Sequence, residues 1–466
     1  MTNTSRHVKV ALIVTLGLAA VGWGISADLV PSSTALLRDQ DAPQVTADRD
    51  DHAGRREVAS EVLDWNQIFI DTLIATSTAN SSSQRLGAIV HTAIFDAFNG
   101  IERRYTPIFV DQKGPHNASR RAAVIAAAYT ALVGLFPSRQ PALDASYAAS
   151  LAALTDDCEH SHSRGRRPCA PRIERGVAWG TEVAQAVLAW RATDGFGASY
   201  PPFNGGTAVG QWRPTPPAFG AMSAEGLAFT TMFVLVNNTQ FDPGPPRTLS
   251  SPIYAEDFNA VKALGRGTGS TRTEDQSALA VFWEGNASVH WNQAANQIAR
   301  ANHLSISDSN RLLAVLNVAM ADTAFTTWSG KRFYGALANE VTWRPVTSIP
   351  LADTAGNPET APDPEWLPLV NTPSHPEYPA GHPSLNGAAA TVLLTAFRGR
   401  QTFRLTTAGQ PDRIYTSITQ ARTDGNNARV WGGMHYPSTV EISDAMGEKI
   451  ANYVSRHAMQ RRRGGR

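Results

Sequence analysis

The sequence predicts an all-α protein, built as a large helical bundle with long ordered loops. Hydrophobic residues make up 42% of the 466-residue chain, which is enough for a sizeable buried core. Apolar residues recur every three or four positions over much of the chain after residue 55, the period of an amphipathic helix. The alternation that is typical of half-buried strands is scarce, so the pattern favours packed helices over a sheet.

Ten segments carry the helical pattern. They are residues 61–75, 84–98, 122–135, 143–154, 176–193, 277–282, 291–300, 311–328, 384–397 and 441–454. The short apolar run 233–236 fits either a strand or a piece of helix. Segments rich in proline and glycine at 194–221, 240–252 and 345–381 predict long connections, and loops of that length in a compact domain are typically functional.

The N-terminus has the composition of an export signal. Arg6, His7 and Lys9 precede an apolar run that ends near Ile25, and Ile25-Ser26-Ala27 is a small-residue cleavage site. Residues 1–27 are therefore predicted to be a signal peptide of a periplasmic or secreted protein. An uncleaved N-terminal anchor is the alternative.

The rest of the chain divides by composition. Residues 28–55, rich in Asp, Ser and Ala, predict a linker, and residues 461–466 form a short basic tail that we expect to be frayed. Between them lie a predicted N-terminal helical region, 56–215, and a C-terminal helical region, 216–460. A single core shared by the two regions is the alternative.

The charge balance limits the classes of partner. The net charge is +1, and charged residues make up 17% of the chain, below the roughly 25% of an average soluble domain. This balance does not indicate a nucleic acid or an anionic membrane as a partner, and any attraction for anions would have to be local. We expect no stable membrane span in the mature chain, and the oligomeric state is not predicted.

The two cysteines, Cys158 and Cys169, flank a polar loop. In an exported protein this arrangement predicts a disulfide that closes a surface loop. The alternative is a metal site made by these cysteines with His160 and His162, although the spacing matches no common zinc pattern.

Three segments in the last third of the chain concentrate groups suited to binding an oxyanion: 343–347, 375–384 and 429–435. The guanidinium groups of Arg344 and Arg429 can form forked hydrogen bonds with a tetrahedral anion.

In the second segment, Gly381 and His382 come just before a helix that we expect to begin at Pro383 or Ser384, because proline is favoured at the first helical position. The free N–H groups and positive end of a helix bind anions. Gly381 lets an oxyanion approach its amide closely, and His382 can exchange a proton near neutral pH.

In the third segment, Arg429 and His435 would lie on different faces of a continuous helix. Gly432 and Gly433 predict a break that turns His435 back toward Arg429. Ser438, three residues before a glutamate, has the spacing of a capping box for the next helix.

Together and in this order, the segments resemble the signature of the vanadium-dependent haloperoxidases and of the type 2 phosphatidic acid phosphatase superfamily. That signature reads Lys-x6-Arg-Pro, then Pro-Ser-Gly-His, then Arg-x5-His. Segments 210–217, 240–246, 281–285 and 344–349 resemble the bacterial haloperoxidase-like branch, so the resemblance covers most of the chain. It implies a haloperoxidase-like helical fold, with catalysis in the C-terminal region.

The resemblance also implies roles for residues. His435 would bind the vanadium of vanadate, and His382 would be the acid–base group. The oxygens of the anion would be held by Lys331, Arg344, the Gly381 amide and Arg429. The implied cofactor is vanadate, whose site phosphate can also occupy, and the implied substrates are hydrogen peroxide and halide.

His375 falls at a substrate-edge position of the family, where histidine resembles bromoperoxidases more than chloroperoxidases. A loop histidine bonded to Glu377 or to the backbone is the alternative. His91 and Asp96, on an early helix, are assigned to structure.

The sequence departs from the family pattern at three positions. Ala380 replaces the signature serine, which removes a hydroxyl contact to the oxyanion. The expected lysine position, seven residues before Arg344, is Leu337, and Lys331 is the displaced candidate. An aspartate that some members carry four residues after the last histidine is Thr439 here.

Three functions are therefore open. The first is a vanadate-dependent haloperoxidase that oxidises halide, bromide in preference to chloride. The second is a phosphatase that hydrolyses a small phosphate ester with His435 as the nucleophile. The third is a non-catalytic protein that binds an oxyanion.

Overall fold

The computed structural model describes residues 60–160 and 169–462, apart from the side chains of residues 60 and 156–160. The predicted signal peptide and linker lie outside these ranges. Within them the chain forms α-helices, short 3-10 turns and one small antiparallel sheet. The helices are α1 (Ser60–Ala75), α2 (Asn80–Glu102), α3 (Arg120–Leu135), α4 (Gln140–His160), α5 (Ala170–Ala192), α6 (Pro252–Leu264), α7 (Glu274–Phe282), α8 (Ala287–Ala301), α9 (Ile306–Tyr334), α10 (Pro345–Ser348), α11 (Gly381–Ala396), α12 (Ile418–Trp431) and α13 (Pro437–His457).

The predicted all-α class is confirmed, and every segment with a helical pattern lies largely within a helix. The patterns underestimate helix length, because polar first and last turns carry no apolar period; the segment 311–328, for example, is part of the 29-residue helix α9. Helix α6 was not predicted, although Ser251 caps it and Pro252 occupies its first turn. Strands β1 (Phe403–Leu405) and β2 (Arg413–Tyr415) are too short to show an alternating pattern.

The apolar run 233–236 is neither strand nor helix. The N–H groups of Phe233, Val234 and Leu235 donate to the buried carboxylate of Asp322 on α9, at 2.7, 2.9 and 3.0 Å. Asp96 on α2 binds three successive N–H groups of residues 108–110 in the same way. A buried carboxylate thus satisfies the backbone of each irregular segment, a role that a helix or a sheet would otherwise fill.

Helix α9 is the central element of the bundle. It packs against α2, α11 and α13, and its polar residue Lys331 is fully buried near its C-terminal end. Helices α11 and α13 approach each other closely, because a Cβ atom at Gly447 would lie only 1.9 Å from the carbonyl oxygen of Ser384. This packing fixes the first turn of α11 against the middle of α13.

The main hydrophobic cluster contains residues from both predicted helical regions, for example Phe69 and Trp328. The two regions thus share a core, and the boundary near residue 215 stays a prediction. The first residues of the predicted basic tail are not frayed. Arg461 forms a β-bridge with Tyr105, and Arg462 forms an ion pair with Asp111; residues 463–466 lie outside the described ranges.

The predicted disulfide stays a prediction, since the side chain of Cys158 lies outside the described residues. The same holds for the alternative metal site, because residues 161–168 are not described. Of the helices described, none alone is long and apolar enough to cross a membrane. Residues 120–135 and 137–155 pass that test only as a pair, and they are bent by 118° at the break between them.

His91 is fully buried, and its Nε2 atom lies 3.0 Å from Oδ1 of Asn66 on α1. Burial lowers its pKa from 6.5 to about 3. Between these values the unfolded chain binds a proton that the folded protein excludes. The stability present above pH 6.5 is therefore lost as the pH falls, by about 1.4 kcal/mol per pH unit for this residue.

We expect His91→Asn to reduce the acid sensitivity of folding. Urea unfolding at pH 7.5, 6.5, 5.5 and 4.5 measures the free energy of unfolding and its slope with pH. The variant should lose stability at pH 7.5 but decline less steeply than the native chain below pH 6.5. Exposed His457→Asn is the matched control. Equal slopes for the His91 variant and the native chain would contradict this assignment.

Candidate oxyanion-binding active site

A cavity of about 240 Å³ lies where the first turn of α11, the α12–α13 turn and the loop before α11 meet. Of the predicted site residues, His375, Gly381, His382, Arg429 and His435 line it. The other lining residues are Asn80, Ser81, Ser223, Glu284, Trp328, Asn371, Pro373 and Met434. Lys331 and Arg344 are fully buried and hydrogen-bonded to the lining segments.

His435 lies in the turn between α12 and α13, as the two glycines predicted. Gly433 has a φ of +76°, and a Cβ atom there would lie 2.6 Å from the carbonyl oxygen of Gly265. The turn lets the N–H groups of both Met434 and His435 donate to the carbonyl of Arg429, at 3.0 and 3.3 Å. Arg429 and His435 are thereby brought to the same cavity.

The predicted capping box at Ser438 is wrong. Tyr436 is the N-cap residue of α13, and it makes no side-chain cap. Ser438 instead donates from its N–H group and its hydroxyl to the buried carboxylate of Asp257 on α6. Ser438 therefore binds a carboxylate that is distant in sequence, in place of the backbone N–H group that a capping box would use.

The hydrogen bonds of His435 fix its tautomer. Its Nε2 atom lies 2.9 Å from a guanidinium nitrogen of Arg344, and because arginine can only donate, Nε2 is the acceptor. The proton therefore sits on Nδ1, which donates to Glu377 at 2.9 Å. Burial and the charge of Arg344 lower the pKa of His435 well below its usual value. The ring is thus neutral, with a lone pair on Nε2.

Glu377 was not predicted as a site residue. It is fully buried and also accepts from the N–H group of Tyr436 at 3.1 Å and from the hydroxyl of Thr439 at 3.0 Å. Thr439, which stands where some members have an aspartate, thus supports a carboxylate supplied by another segment. Burial raises the pKa of Glu377 to about 7, an effect that Arg344 opposes. The only sequence signal was an acidic residue in a proline-rich stretch between signature residues.

Arg344 connects three segments of the site. Its side chain donates to the carbonyls of His375 and Met434 at 2.9 and 2.8 Å, and to Nδ1 of His375 at 2.8 Å. Burial lowers its pKa to about 9, and Glu377 acts in the opposite direction. Lys331 donates to the carbonyl of Pro376 at 2.6 Å, so the displaced lysine reaches the same cluster from α9.

The guanidinium group of Arg429 has hydrogen-bond donors that the protein satisfies only in part. One of its terminal nitrogens donates to the carbonyl of Trp283 at 3.0 Å, and the other to the sulfur of Met434 at 2.9 Å, a weak acceptor. Its Nε atom is buried without a partner. Burial lowers the pKa of Arg429 to about 10, while the carboxylate of Glu284 raises it. Such an unsatisfied buried donor at a cavity fits an anion as its partner.

Helix α11 begins at Gly381, two or three residues earlier than predicted, with Ala380 as its N-cap. The amides of Gly381 and His382 thus belong to the first helical turn, which favours an anion. Nε2 of His382 lies 3.1 Å from the carbonyl of Gly285 and so carries the proton. Nδ1 keeps its lone pair and has no hydrogen-bond partner among the described residues.

The missing signature serine is not replaced by its neighbour. The hydroxyl of Ser384 is bonded to the carbonyls of Ala380 and Gly381 at 3.0 and 2.8 Å and to Thr327 at 2.9 Å. All of its bonds therefore remain within α11 and α9. The position of Ala380 contributes no hydroxyl to the cavity.

His375 lies at the cavity with its ring centroid 5.3 Å from that of Trp328. Because Arg344 donates to Nδ1, the proton of the neutral ring is on Nε2. None of its hydrogen bonds goes to Glu377, but Nδ1 also lies 3.3 Å from the carbonyl oxygen of Pro376, so the backbone contact considered from the sequence is present. These two rings, tilted by 54° to each other, therefore both lie along the cavity wall.

The donor set fits an oxyanion rather than a bare cation. Three buried cations, Lys331, Arg344 and Arg429, surround a neutral histidine and one fully buried carboxylate. Among the residues that the structure describes, no group of three or more His, Cys, Asp or Glu side chains could hold a metal ion. Buried cations are costly without a countercharge, and an anion in the cavity would supply it.

Comparisons with known proteins bear on the fold. Residues 311–464 match the family model of the VCPO second helical-bundle domain. No curated protein matches the sequence. A bacterial vanadium-dependent iodoperoxidase has a similar structure with a TM-score of 0.71 and 20% identity, covering 89% of this chain and 100% of its own.

Two structures of bacterial vanadium-dependent chloroperoxidase, in the apo and holo forms, are also similar. Each has a TM-score of 0.60 and 17% identity, and the match covers 81% of this chain. It covers 95% of the apo chain and 92% of the holo chain. At these identities the likeness establishes the fold. Residues 311–464 are thus similar to the second helical-bundle domain of that family, and the chain has the fold of the bacterial vanadium-dependent haloperoxidases over most of its length.

Proposed function

We propose that this protein is a vanadate-dependent haloperoxidase that oxidises halide with hydrogen peroxide, bromide in preference to chloride. One observation carries the proposal: the neutral His435 keeps a lone pair on Nε2 inside a buried cluster of cations. A nitrogen ligand backed by a carboxylate, next to unsatisfied arginine donors, suits an oxyanion whose central atom accepts a lone pair. Bound vanadate would supply Lewis-acid activation of hydrogen peroxide.

Each residue of the site would have a distinct role in holding the anion. His435 would hold the central atom through Nε2, while Glu377 keeps the proton on Nδ1 and the ring in place. Arg344 would turn its terminal nitrogen from Nε2 to an oxygen of the anion. Arg429 and the amide of Gly381 would bind further oxygens of the anion. Lys331, which is bonded to the carbonyl of Pro376, supports the loop and adds positive charge.

His382 is the group that can move a proton. Its Nε2–H is held by the carbonyl of Gly285, so the free lone pair of Nδ1 is the site that accepts a proton from hydrogen peroxide and returns it to the leaving oxygen. Burial and the charge of Arg429 lower the pKa of His382 well below its usual value. The histidine therefore starts the cycle neutral, in the form that acts as a base.

The halide would approach along the wall formed by Trp328 and His375. The edge of an aromatic ring carries partial positive charge, and Nε2–H of His375 adds a donor. Histidine at this position resembles bromoperoxidases more than chloroperoxidases, and this resemblance supports the preference for bromide.

A phosphatase is the second candidate, because the same geometry suits nucleophilic attack. Nε2 of His435 keeps the lone pair that would attack phosphorus. Glu377 accepts the hydrogen bond from Nδ1 and so orients the ring, and the buried cations would hold the phosphate oxygens. His382 would then protonate the leaving alcohol. Vanadate and phosphate have the same tetrahedral shape, so the assay must separate the two reactions.

We expect purified protein incubated with orthovanadate to oxidise a phenolic dye in the presence of hydrogen peroxide and bromide, faster than with chloride. His435→Ala should lose this activity by several orders of magnitude, because it removes the nitrogen that would hold the central atom of the anion. His91→Ala, distant from the cavity, is the control that should lose stability instead. Iodide is assayed beside the other halides.

The same preparations without vanadate are assayed for hydrolysis of para-nitrophenyl phosphate. Turnover there, with no halide oxidation, would replace the haloperoxidase by the phosphatase. Inactivity in both assays with vanadate still bound, measured by calorimetry, would leave only oxyanion binding.

Glu377→Gln should weaken vanadate binding and activity by about 10- to 100-fold, as is usual for a carboxylate behind a metal-bound histidine. The neutral amide keeps the shape but no longer polarises the Nδ1–H bond. Nitrogen NMR of His435 and titration calorimetry with vanadate measure the two effects. Thr439→Val, which removes one bond to the same carboxylate, should have a smaller effect. Equal binding by Glu377→Gln and the native chain would exclude this role.

Ala380→Ser should restore a hydroxyl to the first turn of α11. We expect vanadate to bind more tightly by about 1.5–3 kcal/mol, or roughly 10- to 150-fold, the usual value of a hydrogen bond to a charged group. Calorimetry measures the affinity directly. Ser384→Ala is the control and should leave the affinity unchanged, since its hydroxyl is held inside the bundle. Unchanged affinity in Ala380→Ser would show that the position does not reach the anion.

A further inference from the structure

Among the described residues, Met434 is the methionine that lines the cavity. It lies between Gly433 and His435 and is 1% exposed, yet its side chain contributes to the lining. The other described methionines, among them Met222, Met232 and Met446, are absent from this wall. Met434 is therefore the described thioether nearest to any oxidant formed at His435.

The sulfur of Met434 is bound to the site itself. A terminal nitrogen of Arg429 donates to it at 2.9 Å, which engages one sulfur lone pair. A thioether is a weak acceptor, and an anionic oxygen is a strong one. An oxyanion in the cavity would therefore take the arginine donor and leave the sulfur lone pair free to react.

We propose that Met434 is a site of oxidative modification, converted to its sulfoxide by the hypohalous acid that the enzyme makes. The inference rests on the proposed haloperoxidase function. The sulfur donates an electron pair to the oxygen of hypohalous acid, an S–O bond forms and the O–halogen bond breaks. Halide leaves with the bonding pair, and the hydroxyl proton passes to water. Sulfur is oxidised by two electrons and the halogen is reduced by two.

The modification acts on anion binding. A sulfoxide oxygen accepts hydrogen bonds far better than a thioether, so oxidised Met434 would hold the Arg429 donor that the oxyanion needs. Vanadate affinity then falls, and the enzyme slows as its product accumulates. A methionine sulfoxide reductase would restore the thioether and the affinity.

The first experiment follows oxidation during turnover. Full-length protein loaded with vanadate is given hydrogen peroxide and bromide without a dye to consume the product, and peptides are examined by mass spectrometry for the gain of one oxygen atom. Met434 should be oxidised before Met222 and Met232, which are 5% and 7% exposed, and before Met446, which is 2% exposed. Oxidation of Met222 or Met232 first would mean that a diffusing oxidant acts by exposure, and would overturn the proposal.

The second experiment separates this proposal from the proposed function. Limiting hypobromous acid is added directly to vanadate-free protein whose cavity is saturated with phosphate, so no enzymatic turnover is needed and a bound oxyanion takes the Arg429 donor from the Met434 sulfur. Oxidation of Met434 here, followed by weaker binding of phosphate that a reductase reverses, supports the modification site even if the protein makes no hypohalous acid. An intact Met434, or unchanged phosphate affinity after its oxidation, overturns the site.

Met434→Leu gives the matched variant, because leucine has similar volume and cannot be oxidised. Its activity is compared with its own initial rate, and the loss during turnover should be slower than for the native chain. Met446→Leu, in the core of α13, should inactivate at the native rate. Equal rates of inactivation in Met434→Leu and the native chain, while the dye is still brominated by both, would overturn the proposal and leave the haloperoxidase function standing.

Discussion

The hydrogen bond from His435 to the buried carboxylate of Glu377 is the interaction on which the site depends. It joins segments that are 58 residues apart and decides which ring nitrogen of His435 keeps a lone pair. Tyr436 and Thr439, from the same turn and helix as His435, bind the same carboxylate. One acidic side chain thus fixes both the position of the α12–α13 turn and the chemistry of its histidine.

The three buried cations of the site attract an anion, but their burial costs folding free energy. Lys331, Arg344 and Arg429 are desolvated together, and burial lowers the pKa of each. A buried cation without a countercharge is costly to fold. Here backbone carbonyls satisfy most of the donors, and Arg429 retains an unpartnered nitrogen at the cavity. The free energy withheld from folding is then available to a bound anion.

Small residues let the segments around the cavity approach each other closely. Gly433 permits the turn before His435, and Gly447 lets α13 approach the carbonyl of Ser384 on α11. These two contacts bring the first turn of α11 to the same cavity as the α12–α13 turn. Ala380 belongs to the same tight packing, since its amide donates to Ser443 of α13 at 2.7 Å. The absence of a side-chain hydroxyl there distinguishes this cavity from the family signature.

The sequence by itself determined the helical class, because the 3.6-residue period is a local property. The resemblance of three short segments to a family signature indicated the arginines, histidines and glycine of the site, because each segment can be read by itself. The tertiary structure alone decided that Glu377 orients His435 and that Lys331 reaches the cluster from α9. It also decided that Ser438 binds Asp257 in place of a cap and that the run 233–236 binds Asp322. Each of these contacts joins residues far apart in the chain, where buried polar groups must find partners that no local pattern records.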